Sequence, residues 1–259
     1  MVNNKKCIAV LTKGYQDISD YHKLILRNQC IEKKMNDLEK EEIDILIFHE
    51  GNITDLDQEF ITNMTPSLKI IFINVKNGFA FKEEKRCIPF TFNMGCFGYR
   101  SMCSFWFVDL WHFIKDYDYL LRIDEDCFIE FEIQYAFECL KTNLFITGRW
   151  SNDEDYVTVG LNELTLQFMN RELHMNKLEK KVPCSGPYTN VFGIDLSIRE
   201  NPILTKYIEE VEKSNRIYSH RWGDLPLWGE AIDYIFGRNS NAILESLKYY
   251  HESHKSQVN

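Results

Sequence analysis

No apolar stretch of this 259-residue chain approaches the roughly 20 residues that cross a bilayer, which argues against a membrane span. A basic excess is missing too: 30 Lys+Arg stand against 39 Asp+Glu, a net charge of −9. That balance argues against non-specific nucleic-acid binding, which needs a basic face, and against docking on anionic lipid. None of the eight cysteines falls in a C-x-x-C, so the spacing of a zinc finger is absent. The apolar run Cys7 to Leu11 after a basic start is too short for a secretory signal and runs straight into a strand. Together these absences imply reduced thiols in a cytoplasmic compartment. No internal repeat, low-complexity tract or linker interrupts the chain, so residues 1–259 read as one domain.

Core-forming material is plentiful, with 44% hydrophobic and 14% aromatic residues. Short β-forming runs at Cys7–Thr12, Ile43–Phe48 and Leu68–Ile73 alternate with helical patterns through Leu24, Ile25 and Ile31 and over Asp55–Met64. Alternation of this kind implies βαβ crossovers: an α/β fold with a mainly parallel central sheet flanked by helices. Residues 79–98 read as irregular. A helix is predicted over Tyr99–Ile114, a strand over Tyr117–Ile123, a strand over Asn143–Gly148 and a helix over Leu161–Met175. Pro183–Asp195 reads as a loop with a short strand. Asn201-Pro202 opens a further helix, Gly223 to Pro226 caps a last one, and the tail after Lys255 reads as disordered.

The acidic triplet Asp124-Glu125-Asp126 ends the buried strand Tyr117–Ile123. Carboxylates at i and i+2 point to opposite faces within a strand, but at its end the turning backbone can bring both to one point. Hard oxygen ligands there suit Mg²⁺ or Mn²⁺, and such an ion can hold a diphosphate. A solvated acidic turn is the competing reading, and it is the one favoured for the second triplet, Asp153-Glu154-Asp155, which no apolar strand precedes. Ligands of open α/β sheets lie at the carboxyl ends of the strands. The turn Thr12-Lys13-Gly14-Tyr15 after the first strand belongs at that edge.

Three segments carry a family resemblance: Gly98-Tyr99-Arg100-Ser101-Met102-Cys103-Ser104-Phe105, Tyr117 to Asp126, and Tyr218-Ser219-His220-Arg221-Trp222-Gly223-Asp224-Leu225-Pro226. In order and separation they resemble the motifs of the fungal α-1,2-mannosyltransferases of the Kre2/Mnt1 type. The resemblance implies a GT-A fold, a nucleotide-binding part at about 1–126 and an acceptor-binding part at about 127–255. It implies transfer of mannose from GDP-mannose to a glycan hydroxyl with retention, and a Mn²⁺ ion. By the same matching, Asp124, Asp126 and His251 would hold the metal, with His254 as substitute, and Tyr99, Arg122 and Asp224 would serve catalysis. Arg122 or Arg100 would share the diphosphate charge, and Thr12 to Tyr15 would receive the nucleotide. Of the five tryptophans, Trp106 and Trp111 sit at core spacing, whereas Trp222 next to Asp224 is the candidate for stacking on a sugar. For Asp224 itself, the position before Pro226 also fits a helix N-cap.

One position departs from the pattern. Phe192 stands where the family has a Glu proposed as nucleophile, and a phenyl ring can neither attack a sugar carbon nor take a proton. Asp195 is then the nearby carboxylate that could act as catalytic group. Two further readings stay open: transfer from a UDP-sugar, and a catalytically weak nucleotide- or glycan-binding protein of the same fold.

Overall fold

Runs of β-branched and aromatic residues pair into a central sheet whose two faces carry separate cores. The computed structural model describes residues 4–75, 85, 89–90, 97–175, 178, 183–254 and 256–258. Most of the irregular stretch at 79–98, with Cys87, Gly95 and Cys96, lies outside the described residues, as does the side chain of His254. In chain order the strands are β1 (Lys6–Leu11), β2 (Ile43–His49), β3 (Lys69–Asn74), β4 (Tyr119–Ile123), β5 (Cys127–Ile129), β6 (Phe145–Thr147), β7 (Trp150–Asn152), β8 (Ser185–Pro187), β9 (Val191–Asp195), β10 (Asn241–Ile243), β11 (Tyr249–His251) and β12 (Ser256–Val258). The helices are α1 (His22–Lys33), α2 (Asp37–Glu42), α3 (Asp55–Asn63), α4 (Phe97–Ser104), α5 (Ile133–Leu140), α6 (Leu161–Leu173), α7 (Pro202–Ser214), α8 (Arg216–His220) and α9 (Asp224–Ala231).

Seven strands form the main sheet in the order β10-β6-β9-β4-β1-β2-β3. The pairs β1–β2, β2–β3, β1–β4 and β10–β6 are parallel, as the alternating pattern predicts. Strand β9 runs antiparallel between β4 and β6. The segment read as a loop with a short strand therefore supplies a central strand. Pro183, Gly186 and Pro187 sit before β9, where Gly186 lets the backbone of β8 pass the Leu225 carbonyl at a spacing no Cβ would allow. Along β1 the period-2 alternation sends Cys7 and Ala9 to one core and Ile8 to the other.

The aromatic helix is less regular than its spacing implies. After α4 the chain widens into a π-helical turn, Phe105–Asp109, and tightens into a 3₁₀ turn, Leu110–His112. All five residues of the wide turn are buried, so side chains must be accommodated all round rather than on one stripe. Helix α5 was not assigned from sequence, although Ile133, Ala136, Phe137 and Leu140 mark a clear apolar face. The C-terminal tail is also more ordered than expected. Strand β12 pairs antiparallel with β11, which pairs antiparallel with β5.

Phe192 is a core member, 1% exposed, stacked on Phe145 with centroids 6.0 Å apart and meeting Trp228 at 5.6 Å. Phe192→Ala is expected to cost about 3–5 kcal/mol in denaturant unfolding, the scale for deleting a buried aromatic ring. A loss below about 1 kcal/mol would mean that the surrounding rings close the void.

Candidate active site

Strand β4 delivers its last residues to the carboxyl edge of the sheet. There the Asp124 amide donates to the Asn190 carbonyl at 2.9 Å, tying the strand end to the turn before β9. Arg122, 4% exposed, grips Asp124 with two parallel bonds, Nε to Oδ1 at 2.7 Å and Nη2 to Oδ2 at 2.9 Å. Its Nη1 makes a close contact with Asp224 Oδ2 from the first turn of α9. The guanidinium lies 4.3 Å from the centre of the Trp106 ring. One buried cation thus bridges two of the three motifs. Burial works to lower the Arg122 pKa, but Asp124 and Asp224 outweigh it and raise it. Burial raises the Asp124 carboxyl, and Arg122 only partly offsets that.

Glu125 turns the other way. Its Oε2 accepts from Thr12 Oγ1 at 2.7 Å and its Oε1 from the Tyr15 hydroxyl at 2.8 Å. The Gly14 amide donates to Asn52 Oδ1 at 3.0 Å, and Lys13 stays exposed above the Tyr15 ring. The Thr12–Tyr15 turn is therefore docked on the acidic triplet, at the edge where it was expected. Beneath them the fully buried Arg27 donates to the carbonyls of Ile123 at 3.0 Å and Ala9 at 3.3 Å, fixing the ends of β4 and β1 together.

Asp126 faces the C-terminal segment. Its Oδ1 lies 3.4 Å from His251 Nε2 and its Oδ2 accepts from the Ser253 amide at 3.2 Å. Burial works to raise this carboxyl, yet the hydrogen bonds from His251 and Ser253 prevail and hold it well below the usual range. His251, the metal candidate from the C-terminal segment, is 2% exposed on β11. Asn190 Nδ2 reaches both Asp124 Oδ2 at 3.0 Å and His251 Nε2 at 3.5 Å. Among the described residues, the ligand atoms of Asp126, His251 and Cys127 lie within 4.8 Å of one another. Asp124 falls outside that group, with both oxygens held by Arg122. The donors that remain, one carboxylate, one imidazole and one sulfur, fit a divalent ion. The Tyr249 hydroxyl, 2% exposed and without a hydrogen-bond partner, marks the same neighbourhood as incompletely satisfied.

A third corner forms around Asp224. A Cβ placed on Gly223 would meet Asp153 Oδ2 at 3.3 Å and the Tyr99 hydroxyl at 3.4 Å, so these groups converge. The Arg221 guanidinium lies 4.6 Å from the centre of the Tyr99 ring. Arg221 itself is held at φ 66°, a left-handed conformation that costs a non-glycine residue of order 1–3 kcal/mol. Proximity to Cys103, burial and Asp224 together push the Tyr99 phenol up. Asp153 is not the solvated residue expected of it. It is half-buried, its pKa raised by burial, with Arg221 opposing and Asp224 adding to the rise. Its only sequence signal was the acidic triplet, which carried no face.

Four expectations are corrected. Asp195 sits at the far end of β9, opposite Tyr119 at the start of β4, and accepts from the Ser197 amide at 2.9 Å as a cap. It is therefore remote from Asp124 and has no catalytic position. Trp222 is fully buried, its Nε1 donating to the Val159 carbonyl at 3.1 Å, so no sugar can stack on it. Arg100 is fully buried against the Tyr218 carbonyl and joins α4 to α8 instead of reaching a diphosphate. Asp224 is not the cap of α9; Gly223 holds that position, and the Asp224 carboxylate is turned to Arg122. Sequence alone assigns no role to Asn190 and Ser253, which join the site through long-range contacts, nor to Cys127 and Arg221, which stand close to Asp126 and Asp224 in the chain.

No family model matches the chain. In sequence it is 24% identical over 169 residues to the probable mannosyltransferase KTR3 of Saccharomyces cerevisiae, a match covering 59% of this chain and 42% of that protein. The match thus spans less than half the length of this curated relative. In structure the chain is similar to the mannosyltransferase Ktr4p from S. cerevisiae, with TM-score 0.77, 17% identity, and 96% of this chain and 70% of that chain covered. It is also similar to core-mannan synthase A (CmsA/Ktr4) from Aspergillus fumigatus in its Mn/GDP form, with TM-score 0.74, 13% identity, and 95% and 74% covered. These likenesses bear out the resemblance carried by the three motifs, and the α/β fold is that of the GT-A glycosyltransferases.

Proposed function

We propose that this chain is a metal-dependent glycosyltransferase that moves a sugar, mannose from GDP-mannose with retention, to a glycan hydroxyl. The observation that carries the reading is the buried Arg122, which joins the acidic strand end at Asp124 to the Arg-Trp-Gly-Asp segment at Asp224. Residues 1–259 act as one catalytic domain, with the nucleotide received by about 1–126 and the acceptor by about 127–255. The Thr12–Tyr15 turn, oriented by Glu125, lies where base and ribose would rest. Asp126 and His251 are the residues that would hold Mn²⁺ or Mg²⁺, with Asp124 behind them. When bound there, the ion supplies Lewis-acid charge to the departing diphosphate.

The protein's own groups supply position. Asp224, fixed by Arg122, offers a carboxylate oxygen to an acceptor hydroxyl, and Tyr99, Arg221 and Asp153 line the space beside it. Phe192 provides no nucleophile. Retention then calls for departure and attack on one face, with the acceptor proton passing to the leaving phosphate. A UDP-sugar donor is the alternative within this reading. A nucleotide- or glycan-binding protein of low activity is the second reading, and Phe192 is the observation that favours it. The free thiols at Cys7, Cys30, Cys103, Cys127, Cys139 and Cys184 agree with a reducing, cytoplasmic compartment. No described helix is long and apolar enough to cross a membrane.

A screen of nucleotide sugars for Mn²⁺-dependent binding and turnover tests the proposal. At about 100 times Kd a bound nucleotide adds about 2.7 kcal/mol to stability. Asp126→Asn is expected to lose that metal-dependent gain with GDP and UDP while its metal-free melting stays cooperative. A full Mn²⁺-dependent shift in the variant would place the ion elsewhere.

A further inference from the structure

We propose that Cys127 makes this ion site thiophilic: its Sγ joins Asp126 and His251 as a third ligand, so that the site takes Zn²⁺ or Cd²⁺ in preference to Mn²⁺ or Mg²⁺. The inference rests on the metal reading of Asp126 and His251. The geometry comes from the small sheet. Cys127 on β5 and His251 on β11 are directly opposed in an antiparallel pair, and opposed residues project from the same face. Cys127 is 1% and His251 2% exposed, so both are fixed by packing, whereas the Asp126 side chain is 21% exposed. The site is thus closed on the sulfur and nitrogen side and open on the carboxylate side, where an ion can enter and a phosphate oxygen can complete a tetrahedron.

The three ligand atoms, within 4.8 Å of one another, stand slightly wider than a bound ion requires. Metal bonds of about 2.0–2.3 Å set tetrahedral ligand atoms about 3.3–3.8 Å apart. Closing by about 1 Å is within reach of the Asp126 side-chain torsions. As the Sγ–metal bond forms, the thiol proton leaves to solvent.

Tyr249 supplies an independent observation. It lies two residues before His251, hence on the same face of β11. Its hydroxyl is buried without a hydrogen-bond partner, on the strand whose His251 opposes Cys127. A buried donor without an acceptor is unfavourable, and a thiolate drawn toward it by metal binding would supply one. Sulfur in the donor set shifts preference from hard ions to zinc-class ions.

Cobalt(II) is the probe, because a thiolate ligand gives it a near-ultraviolet charge-transfer band. The full chain should show the band, and Cys127→Ser should lose it. Calorimetric Zn²⁺ affinity should fall by at least about 10- to 100-fold in that variant, since even the loss of an outer partner of a metal ligand costs that much. Mn²⁺ affinity should stay nearly constant. Cys127→Ala gives the same readout if serine perturbs the strand. A missing band, a band that survives both variants, or an unchanged ratio of Zn²⁺ to Mn²⁺ affinity would overturn the inference. Asp126→Asn and His251→Ala separate the two levels. If they abolish Mn²⁺ binding and the Cys127 variants change nothing, the thiol role alone fails. If they leave Mn²⁺ binding intact, the metal reading fails with it.

Discussion

Arg122→Met is expected to destabilise the protein by about 3–5 kcal/mol and to abolish turnover. The side chain is 4% exposed and paired with two carboxylates, one of which, Asp224, is 6% exposed. Removing the cation leaves Asp224 buried and unpaired and the half-buried Asp124 with the Asn190 amide alone, which is costlier than losing a surface pair. Methionine keeps the volume over Trp106, so the loss reports charge rather than a cavity. The pH dependence has a definite sign. Burial already raises Asp124 in the presence of Arg122. Without Arg122 its folded pKa rises further above the unfolded value of about 3.9. A carboxyl raised in this way favours the folded state when protonated. The gap between variant and wild type should therefore narrow as pH falls through the raised pKa and be smallest below the unfolded value. Urea unfolding at neutral and acid pH measures this; a gap that is constant with pH, or below about 1 kcal/mol at neutral pH, would show a solvated pair. Arg122→Lys should recover only part of the loss, since an ammonium cannot bond Asp124 bidentately and reach Asp224 as well.

The second large effect concerns Asp224. Asp224→Asn should cut turnover by about 10²-fold or more, the scale for a positioned acid–base or hydroxyl-orienting group. Nucleotide binding, measured by metal-dependent melting, should change little, because Asp224 is bonded to Arg122 and is not among the metal candidates. Turnover within about threefold of wild type would remove Asp224 from the chemistry. Product stereochemistry sharpens the outcome. A retained anomer with no trapped adduct supports same-face transfer, since Phe192 offers no nucleophile for a covalent route. An inverted product would make Asp224 a general base and overturn retention. Equal inactivity of wild type and variant on every donor that binds would favour the binding-protein reading.

Much of the frame was legible because its signals are local. The parallel strands β1 to β4 follow from short runs of β-branched residues between helical patterns. Asp124 to Asp126 stood out because they end a strand whose five residues are all buried. Asn201 before Pro202 marked the start of α7, where its side chain does accept from the Ile203 amide.

What the sequence determined by itself was the main βαβ elements of its first half, several later helices, the acidic strand end and the residue types near it. Only the tertiary structure decided which of those residues meet. Arg122 and Asp224 are 102 positions apart, Thr12 and Glu125 113, and Asp126 reaches the Ser253 amide across 127. No local periodicity encodes such contacts. The short strand read within Pro183–Asp195 is β9, but its central, antiparallel place was hidden because its partners β4 and β6 are distant in sequence. Trp222 and Arg100 kept the look of functional residues until packing placed both in the interior. Cys127 and Asp153 looked ordinary until strand register set one opposite His251 and a glycine turn set the other beside Tyr99. Side-chain direction follows from strand pairing and burial, and pairing is a property of the folded chain as a whole.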